Sequence, residues 1–117
     1  MFSKNYLKAI GHALAGIVLF FRTEANAKLH LLASAIAIGI SLFVGIDASE
    51  WLWIALAISL VLVSEMLNTA IEGLCDKITT DQDPKIKVIK DISAGAVLLA
   101  SGFALVVAAI IFIPKLF

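Results

Sequence analysis

Five polar side chains share one stripe of an otherwise apolar stretch: Glu65, Asn68, Thr69, Glu72 and Asp76. At about 100° per residue they fall within an arc of roughly 100°, and at ~1.5 Å per residue they extend over roughly 16 Å of helix. Carboxylate oxygens without His or Cys suit a hard cation such as Mg²⁺, which keeps several waters and is usually shared with substrate phosphates. A carboxylate deeper in apolar surroundings suits general-base work on a hydroxyl. The stripe therefore divides into a candidate base, Glu65, and a candidate cation ligand nearer water, Glu72, with Asp76 beyond it. Glu24 offers a second carboxylate for the cation; read alone, it is equally a solvated charge beside Arg22 and Lys28.

The elements that carry these residues are membrane helices. Of 117 residues, 62% are hydrophobic and only 15% charged, with a mean hydropathy of +1.05. A soluble domain this short would present far more polar surface, because small domains bury a small fraction of their area. Residues 29–46 and 92–113 are apolar runs of the length that crosses a ~30 Å hydrocarbon core. A third run begins at Trp51 and continues in helical period through the polar stripe to Glu72, giving a span over 51–72. Counted from Trp51, Glu65 lies about 21 Å along, still within hydrocarbon near one boundary. A charge at such depth costs about 3 kcal/mol and normally faces protein or a water-filled cavity. An ion-paired contact between subunits would account for one acid but not for three acids and an amide on one stripe.

Eight of the nine basic residues flank one side of the spans: Lys4, Lys8, Arg22, Lys28, Lys77, Lys85, Lys87 and Lys90, against Lys115 alone. The positive-inside rule then places the N-terminus and the 77–91 connection in the cytoplasm, with Trp51 and Trp53 at the outer interface. Residues 3–22 carry Leu7, Ile10, Leu14, Ile17, Val18 and Phe21 at helical spacing, opposite Ser3, Lys4, Asn5 and Lys8. That pattern predicts an amphipathic helix lying on the membrane surface. The rival is a signal peptide cleaved after Ala25-Asn26-Ala27, but Arg22 and Glu24 break its apolar run early. Small residues recur every fourth position, at Ala33, Ala37, Ser41 and Gly45 and at Ala96, Ala100, Ala104 and Ala108, as faces for close helix packing.

In the 77–91 connection, Asp83-Pro84 has the form of a helix start, with aspartate capping and proline at the first position. Lys87, Lys90 and Asp91 then share a helical face. Lysines here serve either as topology anchors or to offset charge on a transferring phosphoryl group. Neither a GxxxxGK[ST] loop nor a GxGxxG turn occurs, so a nucleotide would be held by metal and lysine rather than by a glycine cradle. The zero net charge argues against nucleic acid, and the single cysteine, Cys75, excludes an internal disulfide. His12 and His30 read as interfacial residues without assigned roles.

The block Glu65-Met-Leu-Asn68-Thr-Ala-Ile-Glu72-Gly-Leu-Cys-Asp76 resembles the signature of the prokaryotic diacylglycerol kinase family, with Cys75 where valine is usual. Glu24-Ala-Asn-Ala-Lys-Leu-His30 resembles the family's first block, and Lys90-Asp91-Ile-Ser-Ala-Gly-Ala-Val-Leu-Leu a further one. The likeness covers nearly the whole chain. It implies an all-α homotrimer of three transmembrane helices plus a surface helix per subunit, in the bacterial cytoplasmic membrane, with sites shared between subunits. It implies Glu65 as catalytic base with Asn68 beside it, Glu24 and Glu72 as metal ligands at the ATP phosphates, Lys90 as a phosphate contact and Asp91 in the nucleotide pocket. Asp76 belongs to the same polar face. A tyrosine found near the nucleotide base in the family has His12 as its counterpart here. Two substrates compete within the family, diacylglycerol and undecaprenol; Ala94-Gly95-Ala96-Val97 and the Asn26…His30 pattern look closer to the undecaprenol branch.

The expected reaction is Mg²⁺-dependent transfer of the γ-phosphate of ATP to a membrane lipid hydroxyl. A proton-coupled transporter would place its key acid near the midplane of a span, whereas these acids cluster toward one end. A non-catalytic scaffold would use the polar face only as a subunit contact.

Overall fold

The computed structural model describes residues 2–117, with side chains from Asn5 onward. The side chains of Ser3 and Lys4, placed above on the polar face of the first helix, lie outside the described residues. Four helices follow in order: α1 (Phe2–Thr23), α2 (Ala25–Val44), α3 (Ala48–Ile78) and α4 (Pro84–Leu116). The last three are long and apolar enough to cross a membrane, so the chain is all-α with three candidate spans and an N-terminal helix.

Each joint has a local chemical cause. Between α1 and α2 only Glu24 leaves helical geometry, at φ −96° and ψ 123°. Its N–H still donates to Phe20 O (3.1 Å) and its C=O accepts from Lys28 N–H (3.3 Å), so the two helices meet without a loop. At the end of α2, Gly45 turns left-handed at φ 70°, which a residue lacking Cβ does at little cost. The Gly45 and Ile46 N–H groups then both donate to Ser41 O. Asp47 and Glu50 form a reciprocal capping box that starts α3. Asp83 Oδ1 accepts from the Lys85 and Ile86 N–H groups, with Pro84 at the first helical position, as the sequence suggests.

The helices do not stop where the apolar runs stop. With 31 and 33 residues, α3 and α4 are about 46 and 50 Å long, well beyond a ~30 Å hydrocarbon core. Hydropathy marks the part of a helix that can sit in lipid; caps mark where the helix ends. Hence α4 begins at Pro84, just after its Asp83 cap and eight residues before the apolar run at Ile92, and α2 ends at Val44, short of Ile46, because Gly45 breaks it. The excess length of α3 and α4 gathers at the lysine-rich end.

The tightest packing lies at the opposite end, where Ile46, Ile54, Ala57, Val107, Ile111 and Phe112 bury one another and Trp51 and Phe103 pack alongside. Lys115 pairs with Glu50 at the same end (3.4 Å). The small-residue faces are only partly used within one chain. Ser41 is fully buried and Ala100 nearly so, while Ala33, Gly45 and Ala96 stay exposed. Phe43, Leu98, Leu99 and Leu105 also stand open, each more than two-thirds exposed. A chain in water could not sustain such a surface, and hydrocarbon or further copies must cover it. The protein is a multi-pass membrane protein.

Ser41 donates its hydroxyl to Ala37 O of its own helix (2.7 Å) in a site with no spare room. Ser41→Ala should therefore leave stability within about 0.5 kcal/mol, whereas Ser41→Leu should overpack the site and cost about 1–3 kcal/mol. Unfolding of the micelle-bound protein by denaturing detergent measures both.

Candidate active site

Along α3 the polar stripe runs from buried to exposed. Glu65 is only 6% exposed. Asn68 and Thr69 are half-buried, and Glu72 and Asp76 are exposed. Helical periodicity alone aligns the five; the rising exposure comes from α3 outrunning the packed part of the molecule toward the lysine-rich end.

Glu65 has one hydrogen-bond partner among the described residues, and it comes from another helix. His30 Nε2 of α2 lies 3.0 Å from Glu65 Oε1. With Glu65 ionised, this bond requires Nε2 to carry its hydrogen, since a carboxylate only accepts. His30 is thus not an idle interfacial residue, as the sequence suggested, but the one cross-helix hydrogen-bond partner of the buried acid among the described residues. The signal in the sequence was indirect: a histidine and a glutamate on two lipid-crossing helices each need a partner, but no local pattern links residues 35 positions apart.

One turn further, Asn68 Nδ2 donates to Glu72 Oε1 at 3.3 Å. Turning the amide over would set two acceptors against each other, so Glu72 fixes its orientation. Asn68 Oδ1 is consequently buried with no hydrogen-bond partner. An acceptor left in this state costs stability until a donor or a cation reaches it.

At the exposed end Lys90 Nζ of α4 reaches Asp76 Oδ1 of α3 at 2.8 Å, tying the two helices together. Lys87 pairs with Asp91 one turn away on α4 (2.6 Å). Such exposed pairs add little stability, but they set two lysines and a carboxylate of α4 beside a carboxylate of α3. Beside them is a concavity of about 540 Å³ lined by Thr80, Asp81, Gln82, Asp83, Lys87 and Lys90. Glu24 sits half-buried at the α1–α2 joint, where its side chain does not cap α2. His12 is exposed on α1.

One chain brings some of the candidate residues together and leaves others apart. Glu65 is joined to His30, Asn68 to Glu72, Asp76 to Lys90 and Asp91 to Lys87; Glu24 and Glu72 are not joined. Among the described residues no three His, Cys, Asp or Glu side chains are grouped as metal ligands. The donor set nevertheless fits Mg²⁺ shared with phosphates, which asks for one or two carboxylates and keeps its remaining places for water and substrate oxygen. Glu72 is such a carboxylate, and Asn68, one turn before it on α3, carries an unpartnered Oδ1.

An apolar groove of about 320 Å³ opens between α2, α3 and α4, lined by Ala37, Val61, Ala104 and Leu105 among others, with His30, Ser34 and Ser101 as its polar members. Val61 stands one turn before Glu65. The groove therefore leads to the imidazole that holds the buried acid.

Comparison with known proteins identifies the family. Residues 11–112 match the family described as prokaryotic diacylglycerol kinase. The chain is 36% identical over 112 residues to an undecaprenol kinase of Bacillus subtilis (strain 168), covering 96% of this chain and 91% of that one. It is 33% identical over 114 residues to a diacylglycerol kinase of Synechocystis sp., covering 96% and 65% of the two chains. It is 30% identical over 97 residues to a diacylglycerol kinase of Pseudomonas aeruginosa, covering 83% and 79%. Transporter and scaffold readings are thereby set aside. The chain belongs to the prokaryotic diacylglycerol kinase family and is a membrane lipid kinase, a phosphotransferase acting on an alcohol group.

Proposed function

We propose that the chain transfers the γ-phosphate of ATP, with Mg²⁺, to the hydroxyl of undecaprenol in preference to diacylglycerol. The observation that carries this reading is the buried Glu65 carboxylate, bonded to the imidazole of His30, which lines an apolar groove, and followed along α3 by exposed acids. An oily alcohol approaches from the bilayer and a hydrated nucleotide from water, and the stripe runs between them. Glu65 takes the proton as the lipid oxygen attacks the γ-phosphorus; the bond to the β,γ-bridging oxygen breaks, and ADP leaves with that electron pair. Asn68 holds Glu72 in place and offers Oδ1 to the reacting groups. Glu24 and Glu72 would hold Mg²⁺, which when bound offsets phosphate charge. Lys90, with Asp76 and Asp91 about it, would meet the nucleotide phosphates beside the concavity at the lysine-rich end.

Preference for undecaprenol is supported by the Bacillus subtilis relative, which carries that name and matches over 91% of its own length. A homotrimer is supported by the half-used faces of α2 and α4, where exposed Ala33 and Ala96 leave room for another backbone to approach. It would let Glu24 of one copy complete the cation site of another. An orientation with the reacting end, and the N-terminus, on the cytoplasmic side of the inner membrane is supported by the eight basic residues about it.

Purified protein in mixed micelles with Mg-ATP should phosphorylate both lipids, undecaprenol with the higher kcat/KM. Glu65→Gln should abolish transfer to either lipid while leaving the oligomer intact; retained transfer would sink the assignment of Glu65 as base. Chelation of divalent cations should stop the reaction, and added Mg²⁺ should restore it. Lys90→Met should raise the KM for ATP at least tenfold with an unchanged unfolding transition, because the Lys90–Asp76 pair is exposed and contributes little to stability. An altered unfolding transition with an unchanged KM would assign Lys90 to the fold instead.

A further inference from the structure

We infer that His30 is a positioning residue for the reaction: its Nε2–H holds Glu65 Oε1, aiming Oε2 at the lipid hydroxyl where the apolar groove ends. The inference rests on the reading of Glu65 as base and adds a residue from a different helix, to which the sequence assigned no role.

Burial comes first. A glutamate with its side chain 7% exposed on a membrane-crossing helix is costly unless a donor compensates it. Among the described residues Glu65 has one such donor, at 3.0 Å, and it engages Oε1 alone. Oε2 thus stays available. Glutamate has three side-chain torsions, so without an anchor the carboxylate would sample several directions. A hydrogen bond to one oxygen from a ring with only two torsions selects one of them.

The placement of the ring makes the anchor more than a stabilising contact. His30 lines the groove between α2, α3 and α4 and, at 24% side-chain exposure, is more open than the acid it holds. It is the only titratable residue lining that groove; Ser34 from α2 and Ser101 from α4 are the other polar members. An alcohol carried on a hydrocarbon chain that enters the groove meets the imidazole, whose Nε2 lies 3.0 Å from the carboxylate. Ser34 is turned back onto its own helix, its hydroxyl donating to the His30 backbone carbonyl at 2.8 Å. The His30–Glu65 bond thereby sets the register between α2 and α3 at the point where the lipid oxygen must be deprotonated.

His30→Leu removes the donor. His30→Asn keeps a polar side chain whose amide is too short to reach Glu65. His30→Gln places an N–H where Nε2 stands. Steady-state kinetics in mixed micelles should give a kcat roughly 10- to 100-fold lower for the Leu and Asn variants, the KM for ATP unchanged and kcat restored to within about threefold of wild type by Gln. Either loss variant alone suffices if the other does not fold. A wild-type kcat in a folded loss variant, or a Gln variant as slow as the other two, would overturn the inference. Glu65→Gln, assayed in parallel, separates the two claims: an active Glu65→Gln enzyme defeats the base assignment itself, whereas an inactive one beside a fully active His30→Leu enzyme defeats only the role of His30.

Discussion

A carboxylate buried in a lipid-crossing helix is the constraint about which the rest of this structure is arranged. Hydrocarbon cannot solvate Glu65, so the fold must bring it a donor, and the only one among the described residues comes from α2. That requirement fixes the relative height of two helices whose apolar faces would otherwise allow sliding. Packing supplies the complementary restraint at the far end, where Ile54, Val107 and Phe112 are buried and Lys115 meets Glu50. Between the two lies a groove lined by small residues, kept open because alanine side chains on α2 and α4 do not fill the space their close approach creates.

The same helix carries the stripe from one solvent to another. Because α3 is about 46 Å long in a membrane of ~30 Å, a single element can hold a buried acid and exposed acids in fixed order without a loop between them. This economy suits a small chain whose two substrates differ so sharply in polarity. Phosphoryl transfer asks the protein mainly for positioning and for charge opposite the phosphates. In the proposed reaction helical periodicity would supply the first, and the lysines of α4, with any cation held by the carboxylates, would supply the second. The Asp83 cap matters here, since it starts α4 in water and sets Lys87 and Lys90 on regular helix rather than in a loose loop.

Much of this was legible in the residues. The three apolar runs, the capping pair Asp83-Pro84 and the period of Glu65, Asn68, Glu72 and Asp76 are local patterns, and local patterns are what a sequence displays directly. Helix ends were less legible, because hydropathy stops where lipid stops while hydrogen bonding continues to the next cap; α4 gained eight residues in this way and α2 lost two to Gly45. The least legible feature was the pairing of His30 with Glu65. It depends on the rotation and height of one helix against another, set by burial of Ser41, Ala57 and Val61 and not by any spacing along the chain. The proposed union of Glu24 with Glu72 would be hidden for a further reason, since it would ask for more than one copy.

The central claim is a division of labour along one helix, with the base in the membrane and the cation site at its surface. Equilibrium binding of a non-hydrolysable ATP analogue with Mg²⁺ tests it without relying on turnover. The account predicts that Glu65→Gln binds the Mg-nucleotide as wild type does, while Glu72→Gln binds it at least tenfold more weakly. Equal weakening in both variants, or wild-type binding by Glu72→Gln, would contradict it.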